Sequence, residues 1–127
     1  MSRGEIYWVN FGPLNPDKDE KNLVGEEIRK TRPAVVVSPR SVGRPRLFIV
    51  VPLTTKSESY RDAQWVVPVS RTERNGLRET SWADASQVKS VSEKRFENRI
   101  GKLERKELEE IVEMIAHCVG HRPTRFA

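Results

Sequence analysis

The chain has a single cysteine, Cys118, and two histidines, His117 and His121, four residues apart near its C-terminal end. A lone thiol excludes a disulfide scaffold. No apolar run approaches the ~20 residues that a membrane-spanning helix requires. No cleavable apolar leader follows Met1, so an intracellular protein is expected. Internal repeats, low-complexity segments and a charged tail are also missing. What is present is a moderately basic chain, with 23 Lys and Arg against 18 Asp and Glu, 36% hydrophobic and 32% charged residues, and three tryptophans. That balance argues against disorder. At 127 residues one domain spanning the whole chain is expected, burying roughly two thirds of the surface its unfolded form exposes.

Hydrophobic periodicity places strands first and a helix last. Glu5 to Phe11 alternates as a half-buried strand, with Tyr7, Val9 and Phe11 on one face and Ile6, Trp8 and Asn10 on the other. Pro33 to Ser38 and Leu47 to Leu53 are β-branched runs bounded by Pro39 and by Gly43-Arg44-Pro45, as in a buried strand pair. Further strands are expected around Trp65 to Val69, Thr80 to Ala85 and Gln87 to Ser90, with a turn at Asn75-Gly76. From Arg105 the period becomes helical. Leu108, Ile111, Val112, Ile115 and Val119 share one face, and Gly120 and Pro123 supply the stop. Short strands followed by one amphipathic helix predict a small, strongly curved antiparallel sheet or barrel with the helix packed on it. The connection from Gly12 to Thr31, about twenty residues, is long enough to be a functional loop.

Charge placement adds a second signal. From Arg29 to Lys56 the chain holds Arg29, Lys30, Arg32, Arg40, Arg44, Arg46 and Lys56 and no acidic residue. Brought together in space they would form a positive surface suited to phosphates or to an acidic protein; left apart they are a solvated rim. If the two β-branched runs form a hairpin, its centre falls between Val42 and Gly43. That sets Arg32 opposite Leu53 and beside Thr54, with Thr55 next. An arginine fork beside hydroxyls is a candidate phosphate clamp, though the same group at a strand edge can be purely structural. Pro33 keeps the backbone of Arg32 extended.

Several ordered blocks carry a family resemblance: Arg3-Gly4-Glu5-Ile6-Tyr7-Trp8, Gly25-Glu26-Glu27, Thr31-Arg32-Pro33-Ala34-Val35-Val36-Val37-Ser38-Pro39 and Val51-Pro52-Leu53-Thr54-Thr55. It continues through Asn75-Gly76-Leu77, Ala83 to Ser90 and Arg99-Ile100-Gly101-Lys102-Leu103. The chain resembles the MazF/PemK/Kid toxins over almost its whole length. The resemblance implies an SH3-like antiparallel β-barrel with a C-terminal amphipathic helix and a homodimer. It also implies an endoribonuclease of a type II toxin–antitoxin system that cuts single-stranded RNA, including mRNA, without a metal or other cofactor. The implied protein partner is a MazE-like antitoxin whose acidic tail covers the RNA groove. Carried over position by position, the catalytic residues fall on Arg32, Thr54 and Glu27. Where relatives often place a carboxylate before the glutamine of the late strand, this chain has Ser86 before Gln87, and Asp84 lies two positions earlier.

Metal-free cleavage requires the 2′-OH to lose a proton, the transition-state charge on phosphorus to be neutralised, and the 5′ oxygen to leave. Histidine usually handles the protons, but His117 and His121 lie outside every matching block. Gly120 between them also breaks the helical spacing a metal pair would need. The chemistry is then expected to divide so that Glu27 accepts the 2′-OH proton or positions it, Arg32 stabilises the developing phosphate charge and Thr54 holds a nonbridging oxygen. Thr55, Lys56, Ser86, Gln87 and Lys89 are the expected substrate-binding residues, because amides and cations can read and hold unstacked RNA. Trp8, Trp65 and Trp82 could stack on bases, with core or dimer packing as the alternative. Two rival functions are a CcdB-like gyrase-binding toxin and a noncatalytic SH3-like nucleic-acid-binding module. The first acts through an apolar, Trp-containing C-terminus, whereas this chain ends Arg122-Pro123-Thr124-Arg125-Phe126-Ala127.

Overall fold

The computed structural model describes residues 1–13, 30–55 and 63–121. In chain order the elements are β1 (Glu5–Asn10), β2 (Thr31–Val36), β3 (Leu47–Thr54), β4 (Val66–Val69) and β5 (Ser81–Asp84). A 3-10 turn (Ala85–Gln87), β6 (Lys89–Ser92), a second 3-10 turn (Glu93–Arg95), β7 (Phe96–Lys102) and the helix α1 (Arg105–Cys118) complete them. The antiparallel order is β4-β5-β3-β2-β1-β7, and β6 pairs with β3. The expected antiparallel β fold with a C-terminal helix is therefore present. No ladder joins β4 to β7 among the described residues, so the barrel stays open along that seam.

The central strand β3 organises the sheet. One edge pairs with β2; the other pairs with β6 along Leu47 to Val50 and then with β5 at Leu53 and Thr54. One strand serving two partners on one edge bends the sheet, and both its faces become interior. On the helix side Val35, Val51, Leu53, Leu77, Leu108 and Ile111 form one cluster. On the other side Val9, Phe11, Ala34, Val36, Val50 and Val91 form a second, closed by Tyr7, Phe48 and Phe96. Phe96 makes edge-to-face contacts with Tyr7 at 5.5 Å and Phe48 at 5.4 Å, the arrangement ring quadrupoles favour. Continuous Val runs in β2 and β3 are what burial on both faces demands.

Several local expectations change. Ile6 is fully buried in the helix-side cluster, so β1 contributes to both interiors; Trp8, on the same face, is 36% exposed. The turn expected at Asn75-Gly76 is present, within a long connection from β4 to β5, with the Gly76 amide donating to the Thr72 carbonyl at 3.1 Å. There the buried Asn75 accepts from the amides of Thr72 (2.9 Å) and Leu77 (3.0 Å) and donates to the Ser70 carbonyl (2.8 Å). The expected strand over Gln87 to Ser90 begins only at Lys89, because Asp84 accepts from the Ser86 amide and turns Ala85–Gln87 into a 3-10 segment. β7 was not anticipated. Glu97, Asn98 and Arg99 are exposed polar residues on an outer strand that pairs with β1 across register shifts, which erases the alternating signal. Helix α1 starts at a Glu104–Glu107 capping box. Val119, expected on its apolar face, is instead its C-cap and 74% exposed.

The 70–77 connection is pressed onto β7 at two glycines. A Cβ on Gly101 would lie 2.4 Å from the Arg74 carbonyl oxygen, and one on Gly76 (φ +67°) 2.3 Å from that of Ile100. Backbone cannot yield as a side-chain end can. Gly101→Ala is therefore expected to cost about 2–3 kcal/mol, in the range for overpacking. Gly120→Ala, with open space but φ +81°, should cost about 1 kcal/mol. Urea unfolding of the two variants checks both the costs and their order.

Candidate functional site

The β2–β3 pairs are Ala34 with Pro52, Val35 with Val51 and Val36 with Val50. This register is centred on Gly43 itself, whose φ is +86°, rather than between Val42 and Gly43. Continued two residues, it sets Arg32 across from Thr54 instead of Leu53. The Arg32 Nη1 donates to the Thr54 Oγ1 at 3.3 Å. Thr54 is 3% exposed and ends β3; Arg32 is half-buried, with β1 on its other side through Val9. Buried strands on both flanks thus restrict where the guanidinium can lie.

Arg32 lines a cleft of about 530 Å³. Its floor includes Leu53 and Leu77, and Thr55 stands at its edge. One wall is the Gly76 to Glu79 segment held by the Asn75 network, and the other is Asn98 to Ile100 of β7, with Trp8 at the margin. Arg78 and Arg99 join Arg32 there, with Glu79 as the lining carboxylate. Arg99 is partly neutralised, because its Nε donates to Glu5 Oε2 at 2.6 Å. The Arg32 Nε is buried with no hydrogen-bond partner among the described residues. An unmet buried donor on a permanent cation is costly. An anionic oxygen in the cleft could satisfy it, which makes the arrangement chemically suited to phosphate.

Of the residues expected at the site, Arg32, Thr54 and Thr55 come together, while Glu27 and Lys56 lie outside the described residues. Ser86, Gln87 and Lys89 do not line this cleft. Ser86 donates to Asp84 Oδ1 at 2.5 Å and lines a separate hollow with Trp65, His117 and Cys118. Gln87 follows in the same 3-10 turn, and exposed Lys89 pairs with Val50, four residues before Thr54 along β3. Asp84 is buried and committed to Ser86. Burial, and then the charge of Asp84, push the Cys118 thiol up, away from a reactive thiolate. Trp8, one of the three tryptophans considered for base stacking, lines the cleft, and Arg78, Asn98 and Arg99 enter it without having been singled out as binding residues. Their signal was membership of blocks shared with the family, or proximity to them, but convergence required β7.

Joined to the cleft through Arg99, Glu5 accepts from the Ser2 amide, from Arg99 and from the Tyr7 hydroxyl (3.3 Å). Burial raises the Glu5 carboxyl. The Ser2 hydrogen bond and the bond and charge of Arg99 together outweigh that and hold it below its ordinary 4.5. A depressed folded-state value stabilises the fold above the unfolded value, and that contribution is lost as pH falls through the folded one. The melting temperature of the parent should exceed that of Glu5→Gln near pH 7, and the gap should shrink as pH falls below about 4.5. A gap independent of pH would remove the Glu5 carboxylate from this role.

The model of the PemK-like, MazF-like toxins of type II toxin–antitoxin systems matches residues 2–119. Among solved structures, MazF from Deinococcus radiodurans superposes with a TM-score of 0.72 at 20% identity, covering 94% of this chain and 96% of that one. An endoribonuclease from a mycobacterial species, solved with its cognate antitoxin, gives 0.67 at 16% identity over 98% and 97% of the two chains. Mycobacterium tuberculosis toxin MazF-mt6 gives 0.66 at 18% identity over 93% and 98%. At these identities the structural likeness is one of fold. Comparison with curated protein sequences yields no match. Because the family model spans nearly the entire chain, and the fold agrees with that of solved MazF structures, this protein belongs to the PemK-like, MazF-like toxin family of type II toxin–antitoxin systems.

Proposed function

We propose that the chain is a sequence-specific endoribonuclease toxin that cleaves single-stranded RNA, mRNA included, at the Arg32 cleft without a metal. The observation that carries this reading is the hydrogen bond from Arg32 to Thr54 in a cleft with three arginines, where the Arg32 Nε has no partner among the described residues. In the reaction the 2′ oxygen attacks the adjacent phosphorus. The P–O5′ bond breaks, leaving a 2′,3′-cyclic phosphate and a 5′-hydroxyl. The 2′-OH proton passes to Glu27 and the departing 5′ oxygen takes one from solvent. Arg32 stays protonated throughout, so its task is electrostatic: it stabilises charge developing on the nonbridging oxygens. Thr54 supports the guanidinium and donates to one of those oxygens. Thr55 contacts the substrate at the edge of the cleft.

The other expected binding residues take different places in this reading. Lys56 follows Thr55 directly and is assigned to the backbone beside the cleft. Ser86, Gln87 and Lys89 belong to RNA that extends beyond it. The partners are a second copy of the chain, as a homodimer, and an antitoxin with an acidic tail complementary to the basic cleft. In this reading it acts on RNA in the cytoplasm. Among the described residues no helix is long and apolar enough to cross a membrane.

Incubating the purified chain with long single-stranded RNA in excess EDTA is expected to yield discrete fragments. Retention without cutting would favour the binding module, and neither outcome would favour a protein target. Arg32→Ala should slow single-turnover cleavage by about 10²–10³, and Thr54→Val by up to about tenfold. Glu27→Gln should slow it by about 10² or more, whereas Glu79→Gln should leave the rate nearly unchanged. Parental cutting by Arg32→Ala would overturn the assignment.

A further inference from the structure

The acid-free stretch from Arg29 to Lys56 does not collect at the cleft. Arg32 is there, but Arg40, Arg44 and Arg46 occupy the β2–β3 hairpin tip, at the opposite end of β3 from Thr54. Seven residue steps along β3 take the chain from Leu47 to Thr54, roughly 20 Å. The tip is built as two successive turns, closed by Val42 N to Pro39 O (3.1 Å) and Leu47 N to Arg44 O (3.1 Å). Each turn is tied to a neighbouring element. Arg40 donates to the Ser2 Oγ at 2.9 Å, and the Arg46 carbonyl accepts from the Glu93 amide at 2.8 Å. Arg44 has no side-chain partner among the described residues. Arg3, which donates to the Val37 carbonyl, and Lys94, beside Glu93, bring further positive charge to this end of the sheet.

Arg46 supplies an independent observation. It is the non-glycine residue with positive φ among the described residues, at 69°. With Pro45 before it, it holds the turn position that glycine fills most easily. An arginine is therefore kept where the backbone disfavours any side chain, and an observed outlier of this kind points to use of that side chain. Its contact with Glu93 does not account for it. The Nε–Oε2 distance is 3.7 Å and the Arg46 side chain is 83% exposed, a pair of small worth.

We infer that the β2–β3 hairpin tip is a second RNA-binding surface, on which Arg40, Arg44 and Arg46 hold backbone phosphates of single-stranded RNA extending beyond the cleft. The inference rests on the ribonuclease reading and adds to it a sequence-independent anchor, since phosphate contacts position RNA without reading bases. RNA is favoured over an acidic protein because the tip offers forked donors on a rigid double turn, with little exposed apolar surface beyond Val42 and Leu47.

The test compares the parent with the triple variant Arg40→Gln, Arg44→Gln, Arg46→Gly, using 2′-O-methyl RNAs of 6 and 30 nucleotides that cannot be cleaved. The parent should bind the 30-mer more tightly than the 6-mer. The variant should lose about ten- to a hundredfold of 30-mer affinity at 0.1 M salt, and its slope of log K against log salt should shrink by about 2, near 0.7 per phosphate contact. Arg46→Gly alone should weaken the 30-mer while its melting temperature stays level or rises, which separates lost contact from lost fold. Parental affinity and salt slope in the triple variant would overturn the inference and leave the patch to an acidic protein. A parent that binds neither RNA would overturn the ribonuclease reading itself.

Discussion

Val35 opposite Val51, at the centre of the β2–β3 ladder, is the contact on which the rest of the architecture depends. Both side chains are fully buried beneath α1, and their neighbours Ala34, Val36 and Val50 face the second interior. With apolar side chains committed on both faces, a slip of one residue would exchange the two sets. The register is therefore held by the burial of at least five residues at roughly 1.5–3 kcal/mol for each of the larger ones. The position of Arg32 relative to Thr54 follows from that register and is not itself a source of much stability. A single 3.3 Å hydrogen bond could not enforce it.

The same strands separate two positive regions. At one end, Arg32 holds a buried donor with no partner among the described residues, in a cleft lined by the 70–77 connection and by β7, which are pressed together at Gly76 and Gly101. Shielding from solvent strengthens its interaction with an anion. At the other end, the arginines of the hairpin tip are exposed, so their interactions are long-ranged, weak singly and sensitive to salt. Enclosure suits chemistry on one phosphate, while an open cationic rim suits holding a flexible polyanion. Glu5 limits the charge of the enclosed end by pairing with Arg99, while the buried Arg32 Nε has no partner among the described residues.

Legibility in the sequence followed the strength of local signals. The Val runs of β2 and β3, the helical period of α1 and its stop at Gly120 were readable because each depends on residues close together in the chain, although β2 starts at Thr31 and runs through Pro33, where the strand was expected to begin. The hairpin centre was read one half-step off, since composition around Gly43 does not reveal which residue takes the left-handed conformation. β7 escaped because an outer strand can be polar on its open face, and with it went Asn98 and Arg99. Gln87 was read as a strand residue because nothing in its identity announces that the Asp84 side chain will cap a 3-10 turn.

The sequence by itself determined the fold class, the family-bearing blocks and the candidate pairing of Arg32 with a hydroxyl, since these arise from periodicity and from elements adjacent in the chain. The tertiary structure alone decided which charges share a space. Arg78 and Arg99 join Arg32 because the 70–77 connection is pressed against β7, whereas Arg40, Arg44 and Arg46, closer to Arg32 in sequence, are carried to the far end by a rigid strand. A strand adds about 3.3 Å per residue in one direction. Proximity in the chain can thus become separation in the molecule, and only long-range packing brings distant residues together.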